Sequence, residues 1–358
     1  MNILAFESSC DETSAAVVCY DGEGFIIKSN IIASQVETHK LYGGVVPEIA
    51  SRAHVEAISP ITYEALEKSG LLLSDIDLVA VTSNPGLIGA LLVGVNFAKA
   101  LAVSNSIPLV AVDHIKGHIA SSFLSEDAPK PPFIALVVSG GHTAIYKMES
   151  YTDIKLIGTT RDDAIGESFD KIGRMIGIEY PAGRGFDELS AKGFERAVGL
   201  SSGYFKRYKA SDAHKDASMQ LPSPALKDGS LDFSFSGLKT AAINLLHRFE
   251  QRGEKIDREL FAARYTYEAV EAVAMKIGSA LLSNEDCDLV VAGGVAANSH
   301  LRARLSEVAA KYGRKIFIPP VSLCGDNAAM IAASGYYEYQ KGNIARSSLN
   351  ASALDSVV

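Results

Sequence analysis

Short apolar runs separated by small polar residues recur along the chain. NILAF is followed by the polar stretch ESSCDET and then by the apolar run SAAVVCY. Apolar runs of this length, bounded by Ser, Asp and Thr, predict a strand, a turn and a second strand. PFIALVV, SGGHT and AIYKM repeat this order, and Ile134 follows Ile3 by 131 positions. The pattern therefore predicts one hairpin motif used twice.

Strand-like and helix-like patterns alternate after each hairpin. LIGTT, DLVAVTS and LVAVDH are short apolar runs, whereas PEIASRAHVEAI and GALLVGVNFAKALAV are long and helical. This alternation predicts an α/β fold with mixed sheets. DLVVAGGVAANSHLRARL is typical of a strand, a glycine turn and a helix, in which Gly293 and Gly294 would let a ligand approach the backbone and Asn298 could hydrogen-bond to it.

Two histidines, His114 and His118, lie four positions apart in VDHIKGHIASS. On a helix, four residues bring two side chains to within roughly 40° of each other, which permits metal ligation. Partly exposed or hydrogen-bonded histidines are the alternative. Gly117 costs about 1 kcal/mol in a helix interior and suggests a close approach by another element. A core-facing stripe is predicted beside the histidines, formed by Ile115, Ile119 and Phe123.

Length and composition predict a cytoplasmic protein of about two domains. The 358 residues are 47% hydrophobic and 21% charged, which is a globular composition. The N-terminus lacks a basic region and Glu7 interrupts its apolar run, so no secretory signal is expected. The longest apolar tract, 86–95, is shorter than the ~20 residues that span a bilayer. The four scattered cysteines form no C-x-x-C pair, which argues against disulfides and a thiolate zinc site.

The charge balance is acidic, with a net charge of -8 and a pI near 5.6. This argues against broad, nonspecific adhesion to nucleic acid but allows a local basic patch. FKRYK, at 205–209, and KYGRK, at 311–315, each combine aromatic and basic residues. Solvated surface loops are the favoured interpretation of both segments.

Eight motifs identify a family. ESSCDETSAAVV, YGGVVPEIASRAH, DHIKGH, VVSGGHT, ESFDKIGRMIG, DFSFSGLKTA, AGGVAANSHLR and CGDNAAM occur in this order from Glu7 to about Met330. In this order they closely resemble the TsaD family, also called Gcp or YgjD. The resemblance implies an ASKHA fold, the two-lobed actin, sugar-kinase and Hsp70 architecture with a nucleotide between the lobes. The expected lobes are 1–130, joined by a returning helix at about 326–345, and 131–325, with a flexible tail at 346–358.

The resemblance also implies an activity. The family transfers the threonylcarbamoyl group from threonylcarbamoyl-AMP to N6 of the adenosine next to the anticodon, in tRNAs that read codons starting with A. One divalent metal, Fe²⁺ or Zn²⁺, is implied as the cofactor. The implied partners are TsaB-like and TsaE-like proteins, together with a TsaC-type synthase that supplies the adenylate.

Residues that match the family's metal ligands are His114, His118 and Asp326 of CGDNAAM. Two histidines and one carboxylate leave coordination positions open, as at a catalytic or substrate-binding metal. For Asp326, the alternative role is N-cap of the helix NAAMIAASGYY. For the proton that leaves N6, Asp11 or Glu12 in the first hairpin turn is the expected acceptor.

The second hairpin turn matches the family's adenylate loop, where backbone N–H groups can converge on a phosphate. Implied adenylate contacts are Val137, Val138, Ser139, Gly140, Gly141, Asp170, Gly183, Asp187 and Asn298. This chain departs from the family pattern at Ala182 and Arg184, in YPAGRG, and at Ser223, where an arginine is expected. These departures bear on substrate contacts and not on the reaction class.

Two other classes of enzyme are alternatives. An ATPase or kinase on the same fold would use the hairpin turns as phosphate loops. A metallopeptidase of the H-E-x-x-H type would need a glutamate where this chain has Ile115, so it is the weaker alternative.

Overall fold

The computed structural model describes residues 1–226 and 228–354. The strands are β1 Asn2–Glu7, β2 Glu12–Tyr20, β3 Phe25–Ser34, β4 Leu78–Asn84, β5 Leu109–Asp113, β6 Phe133–Val138, β7 Thr143–Met148, β8 Ile154–Thr159, β9 Asp288–Ala292 and β10 Ile316–Phe317. The helices are α1 Val36–Lys40, α2 Pro47–Ser69, α3 Ile88–Asn105, α4 His114–Ala120, α5 Ile165–Met175, α6 Gly183–Val198, α7 Tyr204–Ala210, α8 Asp212–Lys215, α9 Ser236–Gln251, α10 Arg258–Leu282, α11 Ser299–Lys311 and α12 Ala328–Gln340.

The chain divides into two compact units. The first comprises Met1–Phe133, Lys147–Lys155 and the chain from Phe317 onward, and the second comprises Ile134–Tyr146 and Leu156–Ile316. The helix α12 therefore belongs to the same unit as β1–β5, although more than 200 residues separate them in sequence.

The first unit is built on a mixed sheet with the strand order β3-β2-β1-β4-β5. The pairs β1–β2 and β2–β3 are antiparallel, whereas β1–β4 and β4–β5 are parallel. Side chains alternate between the two faces along a strand. Leu4 and Phe6 of β1 accordingly pack into one core with α2 and α3, whereas Ile3 and Ala5 pack into a second core with α12. The sheet is thus covered on both faces.

The second unit repeats this plan. Its sheet has the order β10-β9-β6-β7-β8, so the hairpin β6–β7 takes the place that β1–β2 has in the first sheet. This agrees with the duplicated hairpin predicted from the sequence. The helix α10 is buried along most of its length and packs against α6, α9 and α11.

The helix α3 is longer than the apolar tract seen in the sequence. It continues through Asn96 and Lys99 to Asn105, and by length and composition alone it could cross a membrane. Core helices of globular proteins can have the same length and composition, so this helix alone does not indicate a membrane protein. Val95, Ala98 and Ala102 on its buried face pack into the core of the first unit.

Two segments differ from the sequence-based expectation. FKRYK lies in the helix α7 and not in a loop, because Tyr204, Phe205 and Tyr208 provide a buried apolar face. The expected flexible tail is held against the first unit, since the Ser352 N–H donates to the Ser83 carbonyl at 2.9 Å and Leu349 packs on the core. The last part of that tail, 355–358, lies outside the described residues.

Candidate functional site

His114, His118 and Asp326 come together in the first unit. One ligand atom from each lies within 4.8 Å of the other two. Asp326 Oδ1 is 3.6 Å from His114 Nε2 and 3.2 Å from His118 Nε2. The two imidazole rings have their centroids 4.5 Å apart. Two imidazole nitrogens and one carboxylate oxygen are thus close enough together to bind the same metal ion.

The end of β5 places the histidines. The Asp113 carboxylate caps α4 by accepting the N–H groups of Ile115 at 2.9 Å and Lys116 at 3.3 Å. Its other oxygen accepts the Asn84 amide at 2.6 Å. His114 is therefore the first residue of α4, directly after the carboxyl end of a parallel strand, where ligands of open α/β sheets bind.

The helix α12 places the carboxylate. Its N-cap is Asn327, whose side chain accepts the Met330 N–H at 3.1 Å. The alternative role of Asp326 as the cap is therefore wrong, and its side chain is directed to the histidines instead.

Gly117 lets these two helices approach each other. A Cβ on Gly117 would lie 2.6 Å from Ile331 Cδ1, closer than side chains tolerate. The close approach inferred from the sequence is thus the contact of α4 with α12. His114 and His118 are buried together with Ile115 and Ile119, so α4 has no solvent-facing histidine edge.

Buried polar groups orient His114. Its Nδ1–H donates to Glu7 Oε2 at 3.0 Å and lies 3.1 Å from Ser9 Oγ. Glu7 also accepts the Thr82 hydroxyl at 2.6 Å and the Ser9 N–H at 2.5 Å. The Nε2 atom of His114 is thereby left to face Asp326. A carboxylate behind a ligating histidine is the usual arrangement at protein metal sites.

The contacts among His114, Glu7 and Asp326 also shift the pKa values of His114 and Glu7. Burial would lower the pKa of His114, but the carboxylates of Glu7 and Asp326 outweigh it and raise that pKa to about 9. Burial would raise the pKa of Glu7, and the His114 ring outweighs it and lowers that pKa.

His118 shows that the cluster fits a cation. Its side chain is fully buried, and neither ring nitrogen has a hydrogen-bond partner within 1–226 and 228–354. Its Nε2 lies near Asp326 Oδ1 without the alignment of a hydrogen bond. A buried nitrogen without a partner costs about 1–3 kcal/mol, which a metal ion accepting its lone pair would relieve. Two imidazoles and a carboxylate suit Fe²⁺ and Zn²⁺ alike.

The first hairpin turn holds Asp11 and Glu12. Glu12 Oε1 accepts the Ser34 hydroxyl at 2.8 Å, whereas Oε2 is buried without a hydrogen bond among the described residues. Burial raises the pKa of Glu12 to about 7. A carboxylate that titrates near neutrality can accept a proton during catalysis, so the chemistry favours Glu12 over Asp11 as the base.

His54 supports this turn, a role that the sequence analysis did not assign. Its Nδ1 lies 2.7 Å from Thr13 Oγ1, and its Nε2 lies 3.0 Å from the Cys10 carbonyl. Burial lowers the pKa of His54, which keeps the ring neutral. His54 is the last residue of the motif YGGVVPEIASRAH, and this position could have identified it as a candidate from the sequence.

The second hairpin turn lies in the second unit. The Ser139 N–H donates to the His142 carbonyl at 2.8 Å, and the His142 N–H donates to Ser139 Oγ at 3.1 Å. Apart from their chain neighbours, no described residue has an atom within 4 Å of the Cβ position of Gly140 or Gly141, so their backbone is open to a ligand. Val137 and Val138 are fully buried in β6, so they build the strand that carries the turn.

Two glycines hold this turn in place. A Cβ on Gly293 would lie 2.3 Å from the Val138 carbonyl oxygen, and one on Gly166 would lie 2.5 Å from that of Ser139. Gly293 also has φ +93°, which favours glycine. The glycine signal in VVAGGVAANS therefore has a packing role at Gly293, whereas Gly294 has nothing within 4 Å.

The other implied adenylate residues lie in the second unit, with Asp170 within α5, Gly183 and Asp187 in the first turns of α6 and Asn298 directly before α11. Asp187 Oδ1 accepts the Ser299 N–H at 3.0 Å and its hydroxyl at 3.1 Å. Asn298 caps α11 by accepting the Leu301 N–H at 2.8 Å. Asp170 accepts the Ala182 N–H at 2.8 Å, next to Gly183.

The departures from the family pattern have different surroundings. Ala182 is buried, and a Cβ on Gly173 would lie only 2.4 Å from its Cβ. Arg184 is exposed and pairs with Glu188 at 2.9 Å on the surface of α6. Ser223 is exposed.

Comparison with known proteins gives a consistent result. The family model TsaD, described as tRNA N6-adenosine threonylcarbamoyltransferase, matches residues 26–333. A protein of that name from Clostridium botulinum (strain 657 / Type Ba4) is 46% identical over 357 residues, which cover 100% of this chain and 97% of the relative. One from Moorella thermoacetica is 45% identical over 350 residues, covering 98% and 95%.

Two solved structures share the fold. Component A of Acidaminococcus fermentans (R)-2-hydroxyglutaryl-CoA dehydratase has a TM-score of 0.50 at 16% identity, covering 95% of this chain and 98% of its own. Full-length HypF, in a phosphate- and nucleotide-bound form, has a TM-score of 0.51 at 14% identity, covering 95% and 46%. The fold is thus α/β of the ASKHA type.

Proposed function

Because the chain belongs to the TsaD family of tRNA N6-adenosine threonylcarbamoyltransferases, we propose which substrate, cofactor and residues it uses for this transfer. The donor is threonylcarbamoyl-AMP. The acceptor is N6 of the adenosine next to the anticodon, in tRNAs that read codons starting with A. Acyl transfer to tRNA is the family's activity, which leaves no need for the ATPase or the metallopeptidase alternative.

His114, His118 and Asp326 hold one divalent cation, Fe²⁺ or Zn²⁺. The observation that carries this proposal is the fully buried His118 ring, whose nitrogens have no hydrogen-bond partner in the described chain, beside the Asp326 carboxylate. Glu7 fixes the tautomer of His114 so that its Nε2 is a ligand. When bound, the cation would supply fixed positive charge and Lewis acidity to substrate oxygens.

The second hairpin turn binds the adenylate. The N–H groups of Gly140 and Gly141 have no acceptor in the described chain, and no side chain blocks access to them. Such N–H groups stabilise a phosphate or a developing oxyanion, and loss of one donor in an enzyme costs about 3–4 kcal/mol of transition-state stabilisation. Asp187 and Asn298 use one oxygen each to cap α11, which leaves Asp187 Oδ2 and the Asn298 NH₂ for ligand hydroxyls.

The transfer needs no protein nucleophile, because the donor is an activated mixed anhydride. N6 of adenosine attacks the carbamoyl carbon, the bond from that carbon to the phosphate oxygen breaks, and AMP leaves. The N6 proton passes to Glu12, whose pKa near 7 suits a base at neutral pH. Positioning and charge stabilisation supply most of the rate.

A labile anhydride has to be made close to the place where it is used. We therefore propose that a TsaC-type synthase supplies it in the cytoplasm, and that TsaB-like and TsaE-like proteins are the partners of this chain. Copurification from the native source, followed by assay of each component, checks this part of the proposal.

The metal proposal is tested with His118→Ala in a reconstituted tRNA modification assay, with metal analysis of the same sample. We expect loss of bound metal and loss of product. The matched control is His39→Ala, which removes a buried histidine of the same unit whose Nε2 lies 3.2 Å from Gln35 and whose Nδ1 accepts the Val46 N–H at 3.3 Å. Full activity in a metal-free His118→Ala protein would end the metal proposal.

A further inference from the structure

The chain acts on tRNA although its net charge is -8. Protein affinity for tRNA depends on Lys and Arg side chains near the phosphates. An acidic enzyme therefore needs a local surface on which cations are not balanced by carboxylates. The second unit has such a surface at α7 and α8.

The helix α7 has two different faces. Tyr204, Phe205 and Tyr208 are buried, whereas Lys206 and Lys209 are exposed and three positions apart, on one side of the helix. Lys215, at the end of α8, is also exposed. None of these lysines has an ion-pair partner within the described chain. We call Lys206, Lys209 and Lys215 the lysine ridge.

The neighbouring Arg207 adds positive charge and pairs with no carboxylate among the described residues. Arg207 donates to the carbonyls of Ser202 at 2.6 Å, Gly199 at 3.0 Å and Ser201 at 3.1 Å. Its guanidinium is thereby fixed by neutral oxygens. The acids of the same segment are Asp212, which is exposed, and Asp216, which bonds to Ser218. Cations therefore outnumber carboxylates here.

The pKa of the half-buried His214 responds to this excess of positive charge. Burial, together with Arg264, Lys209 and Lys215, lowers the pKa of His214 to about 4. Arg264 is itself paired with Glu268 at 3.0 Å. Because Glu268 offsets the charge of Arg264, the lysine ridge is the main source of positive potential at this surface.

The second unit also has a polar groove, to which Gln220, five residues after Lys215, contributes. It is a cavity of about 500 Å³ between α9 and Gln220. Its polar side chains are exposed and have no hydrogen-bond partner in the described chain; they are Gln220, Asn244, His247, Arg248 and Gln251. Amide and guanidinium groups hydrogen-bond to base edges, riboses and phosphates of unpaired nucleotides. We call these five residues the amide groove.

Arg264 connects the two features. Its guanidinium donates to the carbonyl of His214, beside Lys215, and to the carbonyl of Leu221 at 3.3 Å, beside Gln220. Both carbonyls are thus fixed on α10 by one side chain. The lysine ridge and the amide groove consequently belong to one supported segment of the second unit.

We propose that the lysine ridge and the amide groove form the surface on which tRNA docks, with the ridge binding backbone phosphates and the groove binding unpaired nucleotides. The proposal rests on tRNA being the substrate, and it is independent of the metal and of the adenylate residues proposed above.

The test measures tRNA affinity as a function of salt, and the KM for tRNA, with the full chain and its partner proteins. The variant is Lys206→Ala/Lys209→Ala/Lys215→Ala. The matched control is Lys155→Ala/Lys192→Ala/Lys311→Ala, which removes the same charge from exposed lysines elsewhere, including one from KYGRK. These six lysines are exposed and form no ion pair among the described residues, and Lys311 only lies above the Tyr312 ring at 5.2 Å. Neither variant should therefore change the melting temperature appreciably.

We expect the ridge variant to bind tRNA at least about tenfold more weakly, and its slope of log Kd against log salt to fall by about 3, one for each lost phosphate contact. The kcat should stay near wild type, and the control should match wild type. Asn244→Ala/Gln251→Ala should weaken binding without changing the salt slope, because no charge is lost.

Equal tRNA affinity and salt slope in the ridge variant and the control would overturn the docking surface. This failure is distinct from failure of the proposed metal function, because His114→Ala should bind tRNA as wild type does while being inactive. An active His114→Ala would contradict the metal proposal and leave the docking result unaffected.

Discussion

Glu7 Oε2 lies 3.0 Å from His114 Nδ1, and both side chains are buried. Glu7→Gln retains the shape of the side chain but removes the negative charge that orients the His114 ring. We expect metal affinity to fall by about 10–100-fold, as is typical when the partner behind a ligating histidine is changed. Competition with a chelator, monitored with Co²⁺ absorption, measures this. Glu23→Gln, at an exposed turn, is the control, and equal affinity in both variants would show that Glu7 does not act on the metal.

Asp326 and Asn327 are neighbours with separable roles. Asp326→Asn should abolish tRNA modification and leave stability nearly unchanged, because it does not cap α12. Asn327→Ala should lower the free energy of unfolding by about 1 kcal/mol, the usual loss for an N-cap. Urea unfolding and the modification assay, carried out on both variants, check the separation. A large loss of stability in Asp326→Asn would instead assign Asp326 a structural role.

Gly293 and Gly294 form a matched pair at the turn after β9. Gly293→Ala combines a Cβ 2.3 Å from a carbonyl oxygen with a positive φ, so backbone must move, at a cost of about 1–3 kcal/mol. Gly294→Ala meets nothing within 4 Å. We expect a lower melting temperature and weaker adenylate binding in the first variant only. Similar melting temperatures would indicate that the turn can shift freely.

Glu12 should give the activity a pH dependence. Its pKa is raised from 4.5 to about 7 by burial, so activity should rise with pH through about 7 if Glu12 is the base. Glu12→Gln should lose most of the rate at pH 8, with tRNA binding retained. A variant with the wild-type pH–rate profile would exclude Glu12 as the base.

The same shift has a consequence for stability. The folded-state pKa of Glu12 lies above its unfolded value, so the folded state binds the proton more tightly. This contribution to stability is fully present below about pH 4.5 and is lost as pH rises through about 7. Glu12→Gln should therefore be more stable than wild type at pH 8, and the difference should shrink at pH 5. Thermal unfolding at the two pH values measures it.

Much of the fold could be predicted because local patterns specify it. Apolar runs between small polar residues marked β1, β2, β6 and β7, and the helical periodicity marked α2 and α3. The prediction of a surface loop at FKRYK was wrong. The segment lies in α7, where basic residues alternate with the aromatic residues of the buried face, so the apolar periodicity is difficult to recognise. The contacts of 346–354 with the Ser83 carbonyl and the core were likewise not predicted, because they involve residues far away in sequence.

The sequence by itself determined the ordered motifs, the repeated hairpin and the identity of the residues that carry the chemistry, because these depend on residue type and spacing. Only the tertiary structure decided which of them meet. Asp326 reaches the histidines because α12 packs on the sheet that carries α4, and Gly117 permits that contact. Glu7 likewise fixes His114 because β1 and β5 belong to one sheet. Contacts between residues more than 100 positions apart depend on how helices and sheets pack, and no local pattern encodes that packing.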